Sequence, residues 1–66
     1  MIVHVNGKEH RLVEPLTLEE LIKELGLREA ACASELNRKL VPKKKRPEYT
    51  LKDGDVVEIV TMVGGG

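Results

Sequence analysis

Aromatic residues are almost missing. The 66-residue chain has no Phe and no Trp, and Tyr49 is its one aromatic ring. Any core must therefore be aliphatic, and a binder of single-stranded nucleic acid, which stacks bases on several rings, is disfavoured. Cysteine occurs once, at Cys32, so no internal disulfide can staple the fold. Small secreted domains usually carry several, which makes a reducing cytoplasmic address the expectation. Neither sign of charge dominates: 11 Lys and Arg face 11 Asp and Glu, and no global field gathers nucleic acid or an anionic membrane. No apolar run approaches the roughly 20 residues of a membrane helix, and no charged-then-apolar leader opens the chain. A chain of this length buries only about 60% of its unfolded surface, enough for one small core but not for separate catalytic and cofactor-binding domains.

What is present is well patterned. Ile2 to Val5 is mostly β-branched, and Asn6-Gly7 separates it from a mixed run ending at Val13. Asn-Gly between extended runs predicts a type I′ hairpin, because both central residues need positive φ. Pairing outward sets Val5 opposite Lys8, Val3 opposite His10 and Met1 opposite Leu12. Met1, Val3, Val5 and Leu12 then form the core face, and Ile2, His4, Glu9, Arg11 and Val13 the other. Glu14-Pro15 ends the hairpin. Thr17-Leu18-Glu19-Glu20 is a capping box, and Leu18, Leu21, Ile22 and Leu25 make one apolar stripe at i, i+3, i+4 and i+7. Gly26 supplies the left-handed stop, with Leu27 the apolar residue after it.

Further on, Ala30 to Leu36 reads as a strand, turned back by Asn37-Arg38-Lys39 into a very short strand at Leu40-Val41 that Pro42 ends. A basic loop, Lys43 to Arg46, is closed by Pro47. The turn Lys52-Asp53-Gly54-Asp55 leads to a last strand, Val56 to Val63. Two hairpins flanking one helix predict an α+β fold, a small mixed sheet with the helix packed across one face. A domain over residues 1–63 and a tail at 64–66 is the expected organisation.

Gly64-Gly65-Gly66 has no packing value and a high chain entropy. Without Cβ atoms it can thread a narrow channel and set the Gly66 carboxylate against a bound nucleotide. A carboxylate becomes an acyl donor once its oxygen is made a leaving group, as in an acyl-adenylate. A plain flexible end is the other reading of the same three residues.

The whole chain resembles the ubiquitin-like sulfur carriers, and within them the carriers of thiamine biosynthesis. The likeness rests on Val5-Asn6-Gly7, the Thr17-to-Leu25 helix, Leu36-Asn37 before Leu40-Val41-Pro42, Leu51-Lys52-Asp53-Gly54-Asp55, Val57-Glu58-Ile59-Val60 and the terminal Val63-Gly64-Gly65-Gly66. The resemblance implies a β-grasp fold and a protein cosubstrate that is not itself an enzyme. It implies Gly66 as the acceptor, with Gly64 and Gly65 in the threaded tail. The implied partners are an adenylyltransferase related to ubiquitin activators, which consumes ATP and magnesium, a cysteine-derived persulfide donor, and thiazole synthase. No cofactor is expected to stay bound, and the free carrier is expected to be a monomer. A molybdopterin-type carrier, a tRNA-thiolation carrier, and a protein- or RNA-binding module using the basic loop are the alternatives. The chain departs from the family after Pro42, where an aromatic residue and an acid are common and Lys43-Lys44-Lys45-Arg46 stands instead.

Alternation of the last strand puts Val57, Ile59, Thr61 and Val63 on one face and Val56, Glu58, Val60 and Met62 on the other. With Val57 and Ile59 under the helix, Val60 and Met62, with Glu58, form an open-face docking patch beside the tail. Lys43 to Arg46 reads as a solvated loop, with an acidic partner or nucleic acid as alternatives. Cys32, among alanines and without an adjacent base, reads as a buried structural thiol rather than a sulfur relay. His4 and His10 have no metal-ligand spacing to Cys32, and no nucleophilic triad or phosphate loop is present.

Overall fold

The computed structural model describes residues 1–61. Their strands, β1 (Ile2–Val5), β2 (Lys8–Arg11), β3 (Cys32–Leu36), β4 (Lys39–Val41) and β5 (Val56–Thr61), form one mixed sheet in the order β2-β1-β5-β3-β4. One α-helix, α1 (Leu18–Glu24), crosses a face of the sheet. The central β5 runs parallel to β1 and antiparallel to β3.

The first hairpin has the expected register, with Val3 opposite His10 and Val5 opposite Lys8, and Leu12 N donating to Met1 O at 2.8 Å. Asn6 and Gly7 both take positive φ, 50° and 82°, as a type I′ turn requires. Met1 is the exception to the predicted core face: it is 38% exposed while Val3, Val5 and Leu12 are buried. It precedes the first strand residue, and there the sheet no longer covers it.

Thr17 and Glu20 close the capping box reciprocally, Glu20 N to Thr17 Oγ1 at 3.1 Å and Thr17 N to Glu20 Oε1 at 2.9 Å. At the other end Gly26 has φ 75°, its amide bonds Lys23 O, and Leu27 N bonds Ile22 O. That is a Schellman stop, and it needs the left-handed conformation that glycine takes without penalty. Leu18, Leu21 and Ile22 are buried against Val3, Val5, Val57, Ile59 and Leu51 in one aliphatic cluster.

The segment 30–36 departs from the sequence expectation. Ala30 and Ala31 belong to a 3₁₀ turn, Glu29–Ala31, and the strand starts only at Cys32. The basic segment is not a loop either. Lys43–Glu48 winds as a second 3₁₀ turn, and while Lys43, Lys44 and Lys45 are exposed, Arg46 is 2% exposed. Its Nε donates to Ser34 Oγ (3.0 Å), Nη1 to Glu29 O (2.8 Å) and Nη2 to Cys32 O (2.7 Å). The solvated-loop reading therefore fails at Arg46, whose three-way fork finds neutral acceptors on the neighbouring strand and turn.

Candidate functional site at the end of the last strand

β5 is the element that carries the chain towards its C-terminus, and the sequence holds it from both ends. At its entry, Leu51-Lys52-Asp53-Gly54-Asp55 is a turn in which nearly every residue has a partner. Gly54 sits at φ 89° and its amide bonds Ile2 O at 2.7 Å, while Asp53 Oδ1 accepts Ile2 N at 2.7 Å. Asp55 accepts Lys52 N on Oδ2 and Asn37 Nδ2 on Oδ1. Asn37, itself at φ 51°, accepts Val56 N on Oδ1 and donates its backbone amide to Val56 O. The start of β5 is thus pinned to β1 on one side and to the β3–β4 turn on the other.

Along β5, Val57 is fully buried and Ile59 nearly so, whereas Val56, Glu58 and Val60 point to the face without a helix. Val60 is 66% exposed. Cross-strand pairing sets Ala33 beside Val60, Glu35 beside Glu58, and Leu40 beside Glu35. Val60 and Glu58, two of the predicted docking residues, therefore share an open face with Leu40, which is 68% exposed and was not anticipated. Its signal was present in the sequence: in a hairpin turning at Asn37-Arg38, Leu40 faces Glu35, on the side opposite buried Ser34 and Val41. The third, Met62, lies outside the described residues, as do Val63, Gly64, Gly65 and Gly66.

Cys32 is buried, its Sγ donating to Glu29 O at 3.6 Å. His4 faces Glu9 on the open side, and His10 lies beside Val3 on the helix side. Among the described residues no three His, Cys, Asp or Glu side chains gather as a metal site would need. A shallow groove of about 570 Å³ between Leu40, Tyr49, Lys52 and Asp55 lies at the entry of β5, the opposite end from Thr61. Among the described residues no helix is long and apolar enough to cross a membrane.

Comparison with known proteins agrees with this geometry. Residues 3–66 match the ThiS family. The chain is 38% identical over 65 residues to the sulfur carrier protein ThiS of Thermus thermophilus, covering 98% of this chain and all of that one. It is 39% identical over 62 residues to a thiazole synthase of Paramagnetospirillum magneticum, matching 94% of this chain but spanning only 19% of that protein. The crystal structure of the thiamine biosynthesis protein ThiS from Geobacter metallireducens superposes with a TM-score of 0.83 at 35% identity, each chain covered in full. A β-grasp sheet, matched over residues 3–66 by the family and over the full chain by a solved structure, places the chain in the ThiS family.

Proposed function

We propose that Gly66 is the acceptor through which this chain carries sulfur. The chain is a sulfur carrier of thiamine biosynthesis, as its family membership implies, and it acts as a protein cosubstrate rather than as an enzyme. A ubiquitin-activator-like adenylyltransferase binds ATP and magnesium, and the Gly66 carboxylate attacks the α-phosphorus, releasing pyrophosphate. A cysteine-derived persulfide then displaces AMP, and a second thiol attacks the outer sulfur of the resulting acyl disulfide, forming a disulfide with the donor cysteine and releasing the thiocarboxylate. Thiazole synthase takes that sulfur into the thiazole ring. The chain contributes what its residues can: a tail of Gly64, Gly65 and Gly66 that fits a narrow channel, and Val60, Met62 and Glu58 as the docking patch next to it.

The observation that carries the reading is an exposed apolar open face at Val60 on the strand that precedes the glycines in sequence. A thiazole synthase containing a segment similar to 94% of this chain supports thiazole synthase as the consumer, since a carrier and its acceptor enzyme gain effective concentration when joined.

The test is intact-protein mass spectrometry after incubation with ATP, magnesium and soluble extract of the source cells, beside a variant lacking Gly66. An adenylate mass, or an oxygen-to-sulfur shift mapped to the last peptide, is expected for the full chain alone. An unmodified C-terminus, in an extract that thiocarboxylates a known carrier, would refute the proposal.

A further inference from the structure

Past Ile59, β5 is held from one side. β1 pairs with it at His4–Val56 and Val5–Val57, and the Asn6 side chain extends that contact to Ile59 and ends there. Among the described residues, Val60 and Thr61 pair only with Ala33 and Cys32 of β3. Val60 and Thr61 are thus as firm as the first two residues of β3.

Those two residues have lost their own outer neighbour. β4 ends at Val41 opposite Ser34, because Pro42 has no N–H to donate and leads into the 3₁₀ turn. Backbone groups alternate along a strand: Ile59 directs its N–H and C=O to β1, so its partner Ser34 faces β4, and Cys32, two residues on, faces the same way. There, in the place a continued β4 would have taken, the Arg46 guanidinium bonds Cys32 O, with Ser34 Oγ and Glu29 O on either side. No carboxylate pairs with it among the described residues. A buried, unpaired cation is a costly way to finish a strand edge, and its planar fork is what a point-charge lysine cannot reproduce.

We propose, on the carrier reading above, that Arg46 is a positioning residue for the reactive C-terminus: by standing in for the missing end of β4 it fixes Cys32 and Ala33, and through them Val60 and Thr61, the last described residues ahead of the glycines. An attacking carboxylate must lie in line at phosphorus, and a misplacement of about 1 Å at the reacting centre can cost on the order of a hundredfold in rate.

Amide hydrogen exchange on the free carrier and steady-state adenylation by the adenylating enzyme of the same organism, run on wild type, Arg46→Met and Arg46→Lys, decide it. In Arg46→Met, protection at Ala33 and Val60 is expected to fall at least about tenfold while that at His4 and Leu25 stays within about twofold, a local rather than a global opening. The turnover number should fall about tenfold, and by more than KM for the carrier rises, since every docking side chain is retained, and Arg46→Lys, which cannot reach all three acceptors, should recover part of it. Loss of protection throughout the chain in both variants would reduce Arg46 to a structural role. A full turnover number with local protection lost would overturn the proposal outright. Should Arg46→Met not fold, Arg46→Lys carries the same two readouts, with intermediate values expected in both. If wild type itself is not adenylated, the carrier reading fails and takes this inference with it, a result distinct from active wild type with unaffected variants.

Discussion

Asn6 illustrates how much one side chain does in a sheet this small. Its backbone supplies the first left-handed position of the hairpin, and its side chain both donates to Ile59 O (3.1 Å) and accepts from Ile59 N (2.8 Å). An amide can mimic one more residue of a parallel strand because it carries one acceptor and a donor in a plane, as a peptide does. Asn6→Asp keeps the turn conformation and the acceptor and removes the donor, setting a carboxylate against a carbonyl oxygen. A loss of about 1–3 kcal/mol in chemical denaturation is expected, or a fall of some 4–8 °C in Tm for each kcal/mol lost. The turn was legible in the Asn-Gly dipeptide; the bond to a residue 53 positions away was not, since nothing local encodes where a side chain's partner will be. Arg46 is the sharper case. In sequence it is the fourth member of a basic run and reads as solvent-facing, yet burial and three acceptors on another element decide its role.

At the scale of elements, legibility tracks how local the determinants are. Hairpin and helix boundaries were readable because turn chemistry, capping and apolar period all lie within a few residues of one another. The 3₁₀ turns at Glu29–Ala31 and Lys43–Glu48 have no such period, and nothing local shows that Ala30 and Ala31 turn before the strand begins at Cys32. Helix α1 is seven residues long, too short to persist without help, so its ends matter out of proportion. Thr17 also bridges to Thr50, and Leu18 N bonds Tyr49 O, so the cap ties the helix to the crossing segment as well as to itself. Thr17→Ala is expected to cost about 1 kcal/mol in thermal or denaturant unfolding, near the middle of the range for capping residues. Glu20→Gln, which preserves the box with a neutral acceptor, should cost distinctly less. Equal losses for the two variants would show that the charge of Glu20, rather than the reciprocal hydrogen bonds, holds the helix start.

On the scale of the molecule, the chain divides its labour between two faces of one sheet. The helix side gathers the aliphatic core, and the other side leaves Val56, Val60 and Leu40 in water around Glu35 and Glu58. Without aromatics the core is limited to Val, Leu, Ile and one Cys, and a chain this short has little apolar area to leave unused. Leaving part of it exposed along β5 has a physical rationale if a partner covers it. Val60→Ala removes about 1.6 kcal/mol of transferable apolar surface if that contact is fully desolvated in the complex, at about 0.8 kcal/mol for each buried carbon. A loss of up to about fifteenfold in kcat/KM for adenylation is the expected result, carried mainly in KM because the contact exists before and during chemistry. Stability should move by no more than about 0.5 kcal/mol, as for other surface positions, since Val60 is 66% exposed in the free chain. Val13→Ala supplies the control: its side chain is fully exposed but follows β2 rather than lying on β5, and it should leave both quantities unchanged. Unchanged adenylation in Val60→Ala would move the docking surface away from the open face and leave the tail as the sole determinant of recognition.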